Sequence, residues 1–259
     1  MKKSSISFRE TINFLKTIVL LAFTAFNTTI FSQVMPDKFV EFQYKLYEVP
    51  MKEKFKLLKK AIKENPNEPW YYWMLANTYE FESDTKNVVK YYEKSIELDS
   101  KFAAGHANLA RYLTGNDSTQ LDKALMHINK AIALEPKTDH FHIDRANIYL
   151  KKKEYDLAVK NANMELNLPD PDPYPAYEVI VSALYAQKKQ TELTAFLKKI
   201  DASKGIYGTE FTFFLGSLYE NIKDFKKACL CYHTAAESYV IMKEKILSNI
   251  GLKLKNCKK

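Results

Sequence analysis

Histidines and acidic residues that could hold a metal ion are present in this 259-residue sequence, but their spacing does not suit that chemistry. His140 and His142, with Asp139 and Asp144 beside them, offer suitable donor atoms. On an α-helix, side chains two positions apart point in nearly opposite directions, so the two histidines cannot bind one ion from a regular helix. The other histidines are scattered along the chain: His106, His127 and His233. We therefore expect no metal site and no other cofactor.

Three cysteines are too few for a disulfide framework, and because their number is odd they cannot all pair with one another. Cys229 and Cys231 are two positions apart, so on a helix they point in nearly opposite directions, as His140 and His142 would. Both lie near Ala228, and we expect them to be small buried apolar residues. An odd number leaves at least one thiol free or bonded to another molecule, and Cys257 is the candidate for this. The sequence also lacks HExxH, glycine-rich phosphate-loop and GxSxG motifs. These observations argue against an enzyme.

Aromatic and amide side chains, by contrast, share one face of a predicted helix over residues 70–81. Helical spacing places Trp70, Trp73 and Asn77 on one stripe, which continues to Glu80 and Phe81. A separate stripe is expected to pack against the rest of the protein and holds Tyr72, Leu75, Ala76 and Tyr79. In later helices, the positions equivalent to the first stripe are Ala104, Ala107, Arg111, His140, Ile143, Asn147, Glu210, Phe213 and Ser217. Rings supply contact area and amides hold backbone groups, so this stripe suits an extended peptide.

The elements that position these residues are expected to be helices. Only 6 of the 259 residues are glycine, whereas an all-β chain needs many glycine turns. Small residues recur at spacings of 34, 36, 36 and 34 in a column formed by Ala76, Ala110, Ala146, Ser182 and Gly216. A second column, spaced 36, 34, 36 and 34, holds Val88, Ala124, Ala158, Thr194 and Ala228. Small residues at this period let two antiparallel helices approach closely, and neighbouring pairs must stack to bury their apolar faces.

These columns resemble the tetratricopeptide repeat. Its best copy here is formed by Leu215, Gly216, Tyr219, Phe225, Ala228, Tyr232 and Ala235. The resemblance implies an all-α fold, a right-handed α-solenoid of five to six helix-turn-helix repeats with a C-terminal capping helix. The expected repeats span residues 36–66, 69–100, 103–136, 139–169, 174–201 and 209–236, and the capping helix and basic tail span 238–259.

The resemblance also implies that the first helix of each repeat lines a concave groove that binds a peptide or protein segment. The predicted partner-binding residues are Trp70, Trp73, Asn77, Glu80, Asn108, Arg111, His140, Ile143 and Asn147. Asn77 and Asn108 also match the two asparagines of the family's carboxylate clamp. The clamp's cationic positions hold Trp73, His140 and Asp144 instead, so we do not expect that clamp. Two alternatives stay open for the tryptophans, which either pack on the preceding helix pair or stack on the sugar rings of a carbohydrate.

Residues 1–32 have the order of regions of a secretory signal peptide. Four basic residues, against Glu10 alone, precede an apolar stretch over residues 18–26, and Ser32 is a suitable cleavage residue. The apolar run is about half of the ~20 residues that a membrane span needs, and an uncleaved anchor helix is the alternative. The Phe-Ser-Gln ending resembles signal peptides of Bacteroidetes-type bacteria. We therefore expect an exported protein of the periplasm or the cell surface of a Gram-negative bacterium.

The formal net charge of +8 is concentrated at the two ends of the chain. Without residues 1–32 the chain has 35 basic and 30 acidic residues, and the segment 243–259 holds six lysines and one glutamate. The body over residues 33–242 is formally neutral, which argues against a nucleic-acid groove. The lysine-rich tail is expected to solubilise the end of the capping helix or to contact an anionic surface peripherally. No stable membrane insertion is expected once the signal has been cleaved.

Overall fold

The computed structural model describes residues 35–138, 140–169, 171–200 and 209–237, together with Lys253 and Cys257. These residues form twelve α-helices and one short 3-10 turn at Ser118–Gln120, and they contain no β-strand. The all-α class predicted from the sequence is therefore confirmed. The helices are α1 (Asp37–Tyr47), α2 (Met51–Glu64), α3 (Pro69–Phe81), α4 (Thr85–Leu98), α5 (Ala103–Asn116), α6 (Leu121–Leu134), α7 (Phe141–Lys151), α8 (Tyr155–Leu166), α9 (Pro173–Ala186), α10 (Gln190–Lys199), α11 (Thr209–Asn221) and α12 (Phe225–Glu237).

Four of the helix pairs are joined by a tight turn that contains one residue with a left-handed backbone. Positive φ angles occur in these turns at Ser83 (57°), Lys153 (62°), Lys188 (57°) and Lys223 (63°). In three of the turns the next amide reaches back to a carbonyl five residues earlier, as from Asp84 to Tyr79 at 3.2 Å. This bond is typical of a helix end that closes on a left-handed residue, a position where glycine is usual. Because serine and lysine carry a Cβ, each turn costs about 1 kcal/mol of backbone strain.

The small residues of the predicted columns lie in the closest contacts of the structure. Ala76, Ala110 and Ala146 are completely buried. At Gly216 of α11, an added Cβ would lie 2.5 Å from Cε1 of Tyr232 in α12. Only a residue without a side chain lets the tyrosine ring approach this helix so closely, which explains the glycine in the column.

Residues up to Lys152 form one compact unit, which contains α1 to α7. Within it, α2 packs on α3, α3 on α4, and α5 on both α4 and α6. Trp70 lies among other aromatic rings, with ring centroids 5.7 Å from Phe39, 5.7 Å from Trp73 and 4.7 Å from Phe102. Such ring pairs add directed contacts to the burial of apolar area.

Residues from Lys153 onward form a second compact unit, which contains α8 to α12. Here α8 packs on α9, α9 on α10, and α11 on α12. Tyr219 is completely buried, and its hydroxyl donates to the carbonyl oxygen of Leu197 at 2.8 Å. The border between the two units falls between α7 and α8, inside the predicted repeat 139–169.

Cys229 of α12 forms a disulfide with Cys257, across a sequence separation of 28 residues. The free cysteine of the chain is Cys231, which is buried, and its burial raises the pKa of the thiol to about 11. The predictions that Cys257 stays free and that Cys229 only packs as an apolar residue were therefore wrong. The physical reason is that a residue near the C-terminus lies against the last helix pair, a contact that local spacing does not report.

The predicted signal peptide lies outside the described residues, as does the predicted capping helix and tail apart from Lys253 and Cys257. Asp139 also lies outside them, and so does the side chain of Glu210. None of the described helices is long and apolar enough to cross a membrane.

Candidate functional site

The structure divides the predicted groove residues into a buried set and an accessible set. Trp70 and Trp73 are only 7% and 3% exposed, and Ile143 is 4% exposed. Trp70 packs on the rings of Phe39 and Phe102, and Trp73 packs on Trp70, so both tryptophans take the packing role that the sequence had left open and not an exposed place on the stripe. The physical reason is that a helix with neighbours on several sides buries more than one stripe, and periodicity does not say which stripe stays open.

His140 does not lie on a helix. It precedes α7, in the position that caps this helix, with a φ of 70°. Its carbonyl oxygen accepts a 2.8 Å bond from the amide of Asp144, which begins the helical ladder. The predicted groove position of His140 on α7 was therefore wrong. The equivalent positions Ala104 and Ala107 of α5 are buried as well.

Four polar side chains from three consecutive helices meet in a group that we call the amide–tyrosine group: Asn77, Glu80, Tyr92 and Asn108. The hydroxyl of Tyr92 lies 2.5 Å from Oδ1 of Asn77 and 3.1 Å from Oε2 of Glu80. The amide of Asn108 donates to the same Asn77 oxygen at 3.5 Å. Burial, followed by the Glu80 carboxylate, raises the pKa of Tyr92 well above its ordinary value, so its hydroxyl remains a donor at all physiological pH values.

Asn108 carries an unused acceptor. The side chain is 8% exposed, and its Oδ1 has no hydrogen-bond partner among the described residues. A buried carbonyl oxygen without a donor costs about 1–3 kcal/mol. The oxygen is covered by the protein itself, so this cost belongs to the folded chain and does not point to a ligand.

Arg111 of α5 and Asp144 of α7 form the ion pair next to this group. Nε of the arginine donates to Oδ1 of the aspartate at 3.2 Å, and Nη2 donates to Oδ2 at 3.0 Å. The Asp144 charge is the largest cause that raises the pKa of Arg111. The aspartate side chain is only 10% exposed, while the arginine side chain remains 47% exposed. The two-bond geometry fixes the guanidinium and leaves part of it open to a ligand.

A cleft of about 250 Å³ opens beside this ion pair. Its walls are formed by Arg111, Thr114, Gly115, Asp144, Asn147, Leu150 and Lys151. The ammonium of Lys151 donates to the carbonyl oxygen of Thr114 at 2.6 Å. The cleft therefore offers cations, a carboxylate, an amide and an aliphatic chain within one small volume. Of the predicted groove residues, it brings Arg111 and Asn147 together.

Sequence reasoning gave no groove role to Tyr92, Asp144 or Lys151. A signal for the tyrosine was present, because Glu80 and Tyr92 are twelve positions apart, and a Glu and a Tyr recur at this spacing in the last repeat. Asp144 was recognised only as the residue at a cationic position of the carboxylate clamp, and no pattern in the sequence indicates the position of Lys151. Their contacts depend on how successive repeats stack.

Two of the histidines that are scattered along the sequence meet in the structure. Nδ1 of His106 in α5 lies 2.9 Å from Nδ1 of His127 in α6. Among the described residues, however, no group of three or more histidine, cysteine or acidic side chains could hold a metal ion. The pair is a buried contact between two helices of one repeat.

Comparisons with known proteins give the fold a family context. The sequence model of the tetratricopeptide repeat matches residues 71–102. A search of curated protein sequences found no match.

Solved structures match most of the chain. PilW, described as a widely conserved type IV pilus biogenesis factor, is 11% identical with a TM-score of 0.64, over 90% of this chain and 98% of that one. The pilF protein of Pseudomonas aeruginosa is 16% identical with a TM-score of 0.61, over 86% of this chain and 96% of that one. YrrB, described as a TPR protein with an unusual peptide-binding site, is 18% identical with a TM-score of 0.51, over 78% of this chain and 98% of that one.

Structural similarity at such low sequence identities shows only that these proteins share the fold. The family match covers the helices that supply Asn77, Glu80 and Tyr92, so the amide–tyrosine group begins in the matched repeat. The chain thus carries a tetratricopeptide repeat at residues 71–102 and has the all-helical fold of solved tetratricopeptide-repeat proteins.

Proposed function

We propose that this protein is a non-enzymatic scaffold that binds a peptide or protein segment in a groove lined by the first helices of its repeats. The observation that carries the proposal is a connected polar surface over α3, α5 and α7. It begins at the amide–tyrosine group, continues through Arg111 and Asp144, and ends in the cleft that contains Asn147.

The chemistry of this surface suits an extended peptide backbone. A peptide strand presents a donor and an acceptor at every residue, with a rise of about 3.3 Å per residue. Asparagine side chains can meet both kinds of group. YrrB, which has a similar fold, is described as having a peptide-binding site, and this supports the same kind of ligand here.

A carbohydrate is a poorer candidate. Sugar rings stack on exposed aromatic faces. The aromatic rings expected for this contact are those of Trp70 and Trp73, and both are almost completely buried. We therefore do not propose carbohydrate recognition by these rings.

The test of the groove is a crosslinked pull-down from the envelope fraction of the native cell. The variant combines Asn77→Ala, Asn108→Ala and Arg111→Ala. A matched control, in which the replaced side chains are exposed and outside the groove, combines Lys59→Ala, Asn65→Ala and Asn163→Ala. Circular dichroism verifies that both variants fold.

We expect one partner to disappear from the groove variant and to remain with the control. If the groove variant keeps every partner of the wild type, the binding surface lies elsewhere and the proposal is wrong. Tryptophan is left unchanged in this design because removing a buried ring would create a cavity and unfold the repeat.

We further propose that the protein is exported through residues 1–32 and acts in the periplasm or at the cell surface of a Bacteroidetes-like bacterium. The support is the order of charged, apolar and small residues in this segment. Intact-mass measurement of the protein from fractionated cells tests it. A mass that corresponds to a chain beginning at Gln33 in the envelope fraction is expected, and an unprocessed chain in the cytoplasm would contradict it.

A further inference from the structure

A glutamate from the first helix and a tyrosine from the second helix form the same contact in two repeats. The hydroxyl of Tyr92 lies 3.1 Å from Oε2 of Glu80 in the first unit. The hydroxyl of Tyr232 lies 2.9 Å from Oε2 of Glu220 in the second. In both repeats the glutamate follows the small-residue column by four positions, and the tyrosine is almost completely buried. The contact is therefore a repeated structural feature of this chain.

In the second unit a lysine ammonium occupies this feature. Nζ of Lys253 lies 2.5 Å from Oε2 of Glu220, the oxygen that also faces the Tyr232 hydroxyl. The same ammonium is 5.9 Å from the centre of the Tyr232 ring. Its hydrogen bond is the largest cause that lowers the pKa of Glu220. The disulfide of Cys257 with α12 keeps this lysine close, so the chain supplies its own cation here.

Among the described residues of the first unit, no cation forms such a pair with the equivalent carboxylate. Glu80 is exposed, and no described lysine or arginine forms an ion pair with it. The nearby Arg111 is engaged by both of its hydrogen bonds with Asp144. Glu80 therefore presents an exposed carboxylate that no described cation pairs with, which favours a positively charged ligand group at this oxygen.

We propose that Glu80, positioned by Tyr92, is a lysine-binding subsite, and that the segment bound in the groove carries a lysine whose ammonium sits as Lys253 sits on Glu220. This inference rests on the proposed function, because it assigns the chemistry of the partner that the groove binds. An ammonium is compact and carries three donors, so it can reach a carboxylate beside a buried hydroxyl. A guanidinium prefers two parallel bonds to one carboxylate, the arrangement that Asp144 already makes with Arg111.

The test starts with selection of linear twelve-residue peptides from a phage-displayed library on the purified full chain. The wild type, Glu80→Gln and the control Glu82→Gln are compared, since Glu82 is an exposed acid at the end of the same helix. We expect the wild type and the control to select peptides with a lysine at a fixed position. Replacing this lysine by glutamine should weaken binding to the wild type about fivefold, the scale of an exposed ion pair, and should not change binding to Glu80→Gln.

Zero-length carbodiimide crosslinking then identifies the contact, because it joins a carboxylate to an amine that touches it. Mass spectrometry should find the peptide lysine linked to Glu80. The link between Glu220 and Lys253 within the same chain is the internal control for the reagent.

The outcomes separate the two proposals. Selected peptides without a preferred lysine, whose binding is nevertheless lost in Asn77→Ala and Asn108→Ala, would overturn the lysine subsite and leave the groove intact. A lysine preference that persists unchanged in Glu80→Gln would overturn it as well. If the wild type selects no peptide that depends on these asparagines, both the groove and its lysine subsite are wrong.

Discussion

Acidification is expected to destabilise the first unit through the buried pair His106 and His127. Their Nδ1 atoms are 2.9 Å apart, and the residues are 7% and 8% exposed. Nε2 of His106 lies 3.3 Å from the carbonyl oxygen of Ser100, which can only accept, so a neutral His106 carries its proton on Nε2. Its Nδ1 therefore accepts the bond that Nδ1 of His127 donates, and a proton added to that acceptor would break the contact.

The magnitude follows from the pKa of His127. Burial, and then the neighbouring His106 and Lys123, lowers this pKa from 6.5 to about 4. The unfolded chain takes up a proton at a pH where the folded ring stays neutral, so stability is lost as the pH falls from about 6.5 toward 4. For His127 alone the loss is about 2 kcal/mol at pH 5.0 and about 3 kcal/mol well below pH 4. Burial lowers the pKa of His106 too, which adds loss in the same direction.

The assay is urea unfolding at pH 7.5 and pH 5.0, followed by tryptophan fluorescence. Both tryptophans of the chain, Trp70 and Trp73, lie in the unit that contains the histidine pair, so the signal follows that unit. The carboxylates whose pKa is lowered by hydrogen bonds, such as Asp84 and Asp117, lose their contribution only below about pH 4 and do not disturb this window.

The wild type should lose at least about 2 kcal/mol between the two pH values, and His127→Gln should lose about 2 kcal/mol less than the wild type. His233→Gln, which changes an exposed histidine of the second unit, is the control and should behave as the wild type. If His127→Gln shows the full pH dependence of the wild type, the histidine pair does not control acid stability and this reasoning is refuted.

Four further substitutions test the packing, the backbone strain and the disulfide. Gly216→Ala should cost about 1–3 kcal/mol, because the new methyl group meets the ring of Tyr232, whereas Gly115→Ala meets nothing within 4 Å and should gain about 0.5–1 kcal/mol. Lys188→Gly should gain about 0.5–1 kcal/mol by relieving a φ of 57°, and a loss would contradict the strain. Cys257→Ser should cost about 3–4 kcal/mol, because it opens a loop closed over 28 residues, and an unchanged midpoint would show that the crosslink does not stabilise the fold. Urea unfolding followed by circular dichroism measures all of these differences.

The helices and their pairing could be predicted because they leave a local and repeated trace in the sequence. The small-residue column marks where paired helices approach each other, as the contact of Gly216 with Tyr232 shows. The exposed faces could be predicted only in part. Asn77, Glu80 and Arg111 remain accessible to some degree, but Trp70 and Trp73 fill the space between adjacent repeats. Apolar periodicity alone cannot separate a ring that faces a groove from one that faces the next repeat.

The contacts that build the candidate site join residues far apart in the sequence. The Arg111–Asp144 pair spans 33 positions, and His106 faces His127 across 21. Each contact requires a particular register between two helices, which depends on the packing of the whole stack and on the length of the turns. The local sequence does not indicate that register, so these side-chain pairs could be identified only from the structure.

On each first helix, some positions are fixed by packing, and others can differ between repeats and so could contact a partner. The column at Ala76, Ala110, Ala146, Ser182 and Gly216 is restricted to small residues because helices meet there, whereas positions just after it on the same helix are free to vary. One position later the chain has Asn77, Arg111, Asn147, Ala183 and Ser217, and four positions later it has Glu80, Thr114, Leu150, Ala186 and Glu220.

The fifth repeat has alanine at both of these variable positions, so it offers a partner neither charge nor hydrogen bonds. The second, third and fourth repeats offer an amide with a carboxylate, a guanidinium with a hydroxyl, and an amide with an aliphatic chain. A partner segment that matches these three chemistries in order gains contacts in all three repeats, and one in which its cationic and anionic groups are exchanged meets like charges at Glu80 and Arg111. On the proposed function, selectivity would therefore rest on α3, α5 and α7 of the first unit, where the order of the side chains and not their number would distinguish one segment from another.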